Sequence, residues 1–127
     1  MTTKKRVFGQ FVPLQIAERL IDSWSPKVIA EVNDSYIKVA KLQGELVRHS
    51  HHEDEMFLVL KGRLIIQLDD RDIVLEQGQS VVIPAGTQHN PKAEETCLVM
   101  LIESKTTLHT GDVRHEKSKS IEEQLAN

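Results

Sequence analysis

RHSHHEDEMFLVLKG, residues 48–62, sets three histidines and three carboxylates within seven positions and then runs straight into an apolar stretch. Six titratable side chains against a segment that reads as core need a reason, because burying polar groups without partners is costly. In extended chain, side chains two apart share a face, so His49 and His51 can converge on one point. Arg48, Ser50 and His52 then face the other way, and His52 is expected outside any site. Neutral imidazole nitrogens and carboxylate oxygens are ligands that suit first-row divalent metals. Asp54 and Glu55 are both within reach in sequence. Glu55 is preferred because it opens the run EMFLVL, where a rigid sheet would hold a ligand better than a loop.

Outward from this stretch the chain is β-like. KVIAEV, SYIKVAKL, ELVRHSH, EMFLVL, RLIIQL, DIVL, SVVIP and TCLVMLIE are eight candidate strands. Lys61-Gly62 and Asp69-Asp70 divide neighbouring runs as hairpin turns would, and Gly78 and Pro84-Ala85-Gly86 punctuate the next pair. Short runs at near-regular spacing without intervening helices predict an all-β antiparallel sandwich or barrel. Ahead of them, Ile16, Ala17, Leu20, Ile21 and Trp24 make one stripe at helical spacing behind Pro13. They predict an N-terminal helix over 13–24, with Trp24 as its packing anchor. Behind them the tail 104–127 is polar, apart from Ser120-Ile121-Glu122-Glu123, whose capping-box spacing predicts a short C-terminal helix.

The 127 residues suit one domain, with the barrel at about 27–103. A net charge of −3 gives no electrostatic case for nucleic acid or an anionic membrane as partner. The N-terminal MTTKKRVFGQFVP is basic but lacks the apolar core of a secretory signal. No apolar run approaches the ~20 residues of a membrane span. The one cysteine, Cys97, lies in an apolar run and is expected to be an inert core thiol. Together these features predict a cytoplasmic protein. There is no GxxxxGK loop, so nucleotide chemistry has no support.

The second informative segment is EQGQSVVIPAGTQHNPKA, residues 76–93. SVVIP reads as a strand, PAG as a tight turn, and His89 follows Gly86 by three positions. Four of the six histidines fall in the two segments, whereas His109 and His115 sit in the polar tail and are expected to be solvated. Taken without His89, the first cluster reads equally well as a charged surface loop.

Together the two segments resemble the paired motifs of the cupin superfamily, small jelly-roll barrels built as a double-stranded β-helix. The first motif is His-x-His, three or four residues, Glu, six residues and Gly; His49, His51, Glu55 and Gly62 match it. The second is Gly, five residues, Pro-x-Gly, two residues and His; Gly78, Pro84, Gly86 and His89 match it. Two departures are visible: four residues rather than five separate Gly44 from His49, and Ala93 stands where Asn is common. Neither falls on a ligand position. The whole chain is similar to compact single-domain cupins of the mannose-6-phosphate isomerase-like group.

The resemblance implies a divalent ion (Mn, Fe, Ni, Co or Zn) held by His49, His51, Glu55 and His89. Such a set leaves two octahedral positions open, and an open position marks a working metal rather than a structural one. It further implies a homodimer and a metalloenzyme for a small oxygen-rich molecule: a sugar, sugar phosphate, or hydroxy or keto acid. Isomerase, epimerase and dioxygenase chemistry all fit. The alternative is a non-catalytic small-ligand module with a structural metal. By strand parity Phe57, Val59, Val47 and Met100 are expected along the cavity. Tyr36 and Lys38 are the candidate catalytic groups, since either can serve as acid, base or substrate clamp beside a metal. Gln88, next to a ligand, is read as a surface turn residue.

Overall fold

Alternating β-branched and aliphatic residues, interrupted by Gly, Asp and Pro, form seven strands. These are β1 Lys27–Val32, β2 Ser35–Glu45, β3 Glu55–Lys61, β4 Leu64–Gln67, β5 Asp72–Leu75, β6 Ser80–Ile83 and β7 Asn90–Ser104. Two short helices flank them, α1 Pro13–Glu18 and α2 Ile121–Ala126. This computed structural model describes residues 9–111, 113 and 115–126.

All the pairings are antiparallel, and β7 is the spine. Along one side β7 meets β2 over most of its length, from Glu45↔Lys92 to Ser35↔Ser104. On its other side it meets β4 first, at Asn90 to Lys92, and then β3, at Leu98 to Glu103. A strand that serves two partners in succession curls the sheet, and the result is the jelly-roll barrel. Gly62, at the β3–β4 turn, has a φ of +95°, and an added Cβ there would lie 2.9 Å from the Thr96 carbonyl oxygen. Only glycine fits that turn without strain.

The pleat of β7 sorts two apolar clusters. Cys97, Val99 and Leu101 point inward to Trp24, Leu42, Phe57, Leu64 and Ile66. Leu98 points outward, to Ala17, Ile29 and Val39 under α1. Met100 packs with this outer cluster and not along the cavity, because its parity is that of Leu98. Phe57 lines the cavity as expected, whereas Val59 is buried in the core and Val47 packs against that core, both outside the cavity wall. Cys97 is fully buried, and burial pushes its thiol up to about 11.

Two expected elements differ. The helix stops at Glu18 and not at Trp24. Ile21 is 86% exposed, while Trp24 turns at a φ of +59° into the barrel core. Its backbone N–H donates to the Lys41 carbonyl at 2.9 Å and its indole Nε1–H to the Gln43 carbonyl at 2.8 Å. One and a half turns already cover the outer face, and Trp24 gains more by filling the barrel than by prolonging the stripe. Of the run 45–51 only Glu45, the end of β2, belongs to a strand. The β2 register shifts between Leu42 and Gly44, where Gly44 has a φ of +80°. Gly44 and Glu45 still pair with Ala93 and Lys92, and beyond them the run meets β7 and its approach through the Leu46 N–H to Pro91 carbonyl bond and the bridge His49↔His89. At the C-terminus the capping box forms in both directions: Ser120 N–H to Glu123 Oε1 at 2.9 Å and Glu123 N–H to Ser120 Oγ at 3.1 Å. Among the described residues no helix is long and apolar enough to cross a membrane.

Candidate metal centre

Backbone pairing brings the two histidine segments together. His49 and His89 exchange backbone hydrogen bonds, N–H to carbonyl, at 3.0 and 2.8 Å. A directly opposed pair places its side chains side by side, and the ring centroids are 4.4 Å apart. His51 follows on the same face, its ring 4.7 Å from that of His49 and 5.4 Å from that of His89. The Gly86 N–H donates to the His51 carbonyl at 2.7 Å, and the Ala85 N–H donates to Asp54 Oδ1 at 2.9 Å. The Pro84-Ala85-Gly86 turn is therefore clasped by the first segment. That clasp occupies Asp54 and leaves Glu55, at the start of β3, to face the histidines.

The rings are oriented as well as assembled. His49 Nδ1 bonds the Val47 carbonyl at 2.6 Å and His89 Nδ1 bonds the Thr87 carbonyl at 2.9 Å. A carbonyl only accepts, so each Nδ1 carries the proton and each Nε2 presents a lone pair. Glu55 Oε1 lies 3.5 Å from His51 Nε2 and 3.3 Å from His89 Nε2. These pairs do not close as hydrogen bonds: both ring nitrogens of His51, Nε2 of His89 and Oε1 of Glu55 are buried without a partner. One ligand atom from each of His49, His51 and His89 falls within 4.8 Å of the others. Buried lone pairs converging without a donor between them are a costly arrangement, and a divalent cation satisfies all of them at once. The three histidines can hold a metal ion, and the donor set fits one.

Electrostatics agree with that fit. Burial lowers His49 to about 4, so its imidazole is neutral at physiological pH and available as a ligand. Burial pushes the Glu55 carboxyl up, but proximity to His51 and His89 outweighs it and holds that carboxyl well below its usual range. Glu103 goes the other way. Burial and then the adjacent Glu55 charge raise it well above the ordinary value, against the pull of Lys38. The two carboxyls are direct neighbours, since Glu55 is the β3 partner of Glu103.

Of the candidate catalytic residues, Lys38 is fully buried, with Nζ 2.5 Å from Glu103 Oε1 and 2.5 Å from Gln124 Oε1. It thus reaches Glu55 through Glu103. Tyr36 stands opposite Glu103 on β2, half-buried, its ring flanked by the ammonium groups of Lys38 and Lys105 at 5.7 and 5.4 Å from the centroid. It is not part of the cavity wall beside the histidines. His52 is exposed, as is Gln88, whose Nε2 donates to Ser50 Oγ at 3.3 Å.

That cavity, of about 30 Å³, is mostly apolar: Trp24, Leu42, Leu46, Phe57 and Leu101 meet His49, Glu55, Glu103 and His109 there. His109 corrects the expectation of a solvated tail. It is half-buried, burial lowers it to about 4, and its Nδ1 accepts the Lys119 backbone N–H at 2.9 Å. His115 is also half-buried, with Nδ1 accepting from the Lys117 N–H at 3.1 Å. Nothing in local spacing marks His109. Gly111 is the nearest signal, since its Cα packs directly on the Ser50 backbone between His49 and His51.

The cupin domain family matches residues 36–103. The uncharacterised protein YdbB of Bacillus subtilis (strain 168) is 34% identical over 94 residues, which cover 72% of this chain and 83% of that protein. The chain belongs to the cupin domain family. This cupin is also similar to a cupin-2 domain containing protein from Shewanella frigidimarina NCIMB 400, with 41% identity and a TM-score of 0.73. That likeness covers 75% of this chain and 94% of the other. Protein NMB1881 from Neisseria meningitidis superposes on the cupin with a TM-score of 0.70 at 22% identity, covering 76% and 100% of the two chains. At that identity the likeness is one of fold alone.

Proposed function

We propose that this cupin is a metalloenzyme that binds one divalent ion through His49, His51, Glu55 and His89 and acts there on a small oxygen-bearing molecule. The observation that carries the reading is the set of buried, unpartnered lone pairs on His51, Glu55 and His89, which meet beside the ring of His49. A divalent ion bound there supplies Lewis acidity toward a coordinated oxygen and, if redox-active, electrons for dioxygen chemistry. The chain's own residues do the rest. Val47 and Thr87 carbonyls fix the tautomers of two imidazoles. Burial and the Glu55 charge raise Glu103 while His51 and His89 hold Glu55 low, so Glu55 is the more acidic member of the pair. Trp24, Phe57 and Leu101 keep the approach dry, which strengthens every electrostatic contact inside.

Within the substrate classes that cupins suggest, the wall favours a short hydroxy or keto acid over a sugar phosphate of the mannose-6-phosphate type. Among the described residues neither Arg nor Lys lines the cavity. Its apolar surface offers few partners to a polyhydroxylated chain. A purely structural metal would not need a cavity at its side, and that void favours catalysis over the non-catalytic alternative.

The test is metal analysis of untagged protein purified without added metal, with thermal unfolding before and after chelation. Close to one transition-metal ion per chain is expected. At a free metal concentration about a hundredfold above the dissociation constant, chelation should remove about 3 kcal/mol of stability. Untagged protein that neither carries nor takes up a divalent ion refutes the reading.

A further inference from the structure

The C-terminal segment behind β7 does more than cover the barrel end. Lys119 donates its backbone N–H to His109 Nδ1 at 2.9 Å, Gln124 of α2 accepts from Lys38, and Gly111 lies on the Ser50 backbone. The first contact braces the segment internally, and the other two tie it to the histidine segment and to the charged chain behind Glu55. They hold the His109 imidazole in the cavity that His49, Glu55 and Glu103 line.

The tautomer of His109 follows from its hydrogen bond with Lys119. An Nδ1 that accepts a proton donor carries no proton of its own, so in the neutral ring the proton is on Nε2. His49 and His89 have the opposite arrangement, protonated at Nδ1 with the lone pair on Nε2. The cavity wall therefore holds two kinds of imidazole: His49, with its lone pair on Nε2, and His109, with its proton there.

We propose that His109 is a substrate-contacting residue of this site, its Nε2–H donating to an acceptor atom of a small ligand lodged in the apolar cavity beside the three clustered histidines. The inference rests on the metal reading above and extends it. A cavity of about 30 Å³ holds about two water-sized groups. The matching ligand accordingly places only a small acceptor-bearing end there, such as a carbonyl or carboxylate group, turned away from the metal-binding end. With a dry wall around it, one such donor discriminates strongly against ligands that lack the acceptor.

The probe is azide, a small anion that ligates divalent metals and accepts hydrogen bonds, titrated into cobalt-loaded full-length protein and followed by absorption. His109→Asn keeps an acceptor for the Lys119 N–H but loses the donor into the cavity. His109→Gln restores a donor near the Nε2 position. We expect His109→Asn to bind cobalt fully, unfold at the wild-type temperature and bind azide about tenfold more weakly, with His109→Gln close to the wild type. Wild-type affinity in His109→Asn, or no azide binding by the cobalt-loaded wild type, overturns the inference and leaves the metal reading standing. Absence of cobalt uptake removes both.

A second measurement needs no variant. In zinc-loaded wild type, azide should shift the Nε2–H resonance of His109 and leave that of His115 in place. An unmoved His109 resonance overturns the inference.

Discussion

Glu103 and Glu55 face each other across β7 and β3, yet they have opposite tasks. Glu55 is the anion turned toward the histidines. Glu103, raised by burial and by that anion, pairs with the Lys38 ammonium on its other side. Glu103→Leu would leave that fully buried ammonium without its charged partner, at a cost of about 3–5 kcal/mol. Glu103→Gln keeps an acceptor for Lys38 and should cost about 1 kcal/mol. Urea unfolding of both variants measures the difference, and equal losses would show that Lys38 does not depend on the carboxylate. At this scale the sequence was informative wherever spacing is local. His49 and His51 share a face because they are two apart, and Pro84-x-Gly86 sets His89 at a fixed distance from a turn. His109 reaches the same cavity through a fold-level return of the chain, which no periodicity encodes.

At the scale of elements, strand runs and turns were legible because alternation and glycine reflect local backbone physics. The reciprocal Ser120–Glu123 cap is likewise local. The end of α1 was not legible, since a stripe continuing to Trp24 cannot reveal that the barrel interior competes for the same indole. The run 45–51 differs for a related reason: it has β texture, but β2 ends at Glu45 and only the Leu46 bond to Pro91 and the His49↔His89 bridge continue the pairing. The β3–β4 turn is where a glycine matters most. Gly62→Ala adds a positive-φ penalty to a contact with backbone, whereas Gly78→Ala, at φ +84°, meets nothing within 4 Å. Gly62→Ala should therefore lower stability by about 2–3 kcal/mol and Gly78→Ala by about 1 kcal/mol. Thermal unfolding that ranks them the other way would contradict the crowding at Thr96.

For the whole molecule, the barrel exists to bring residues about forty positions apart into one shell. β7 supports the arrangement throughout: its start continues from His89, its middle supplies the apolar wall, and its end carries Glu103 and leads into the segment with His109. On this account the histidine cluster, the apolar wall and Glu103 are parts of one site. The most direct measurement is anomalous diffraction from crystals of the metal-loaded protein, collected at the absorption edge of the bound ion. The account predicts one peak bonded to Nε2 of His49, His51 and His89 and to a Glu55 oxygen, at about 2.0–2.2 Å. An ion seated elsewhere, or no peak between the three imidazoles in fully loaded protein, would contradict it.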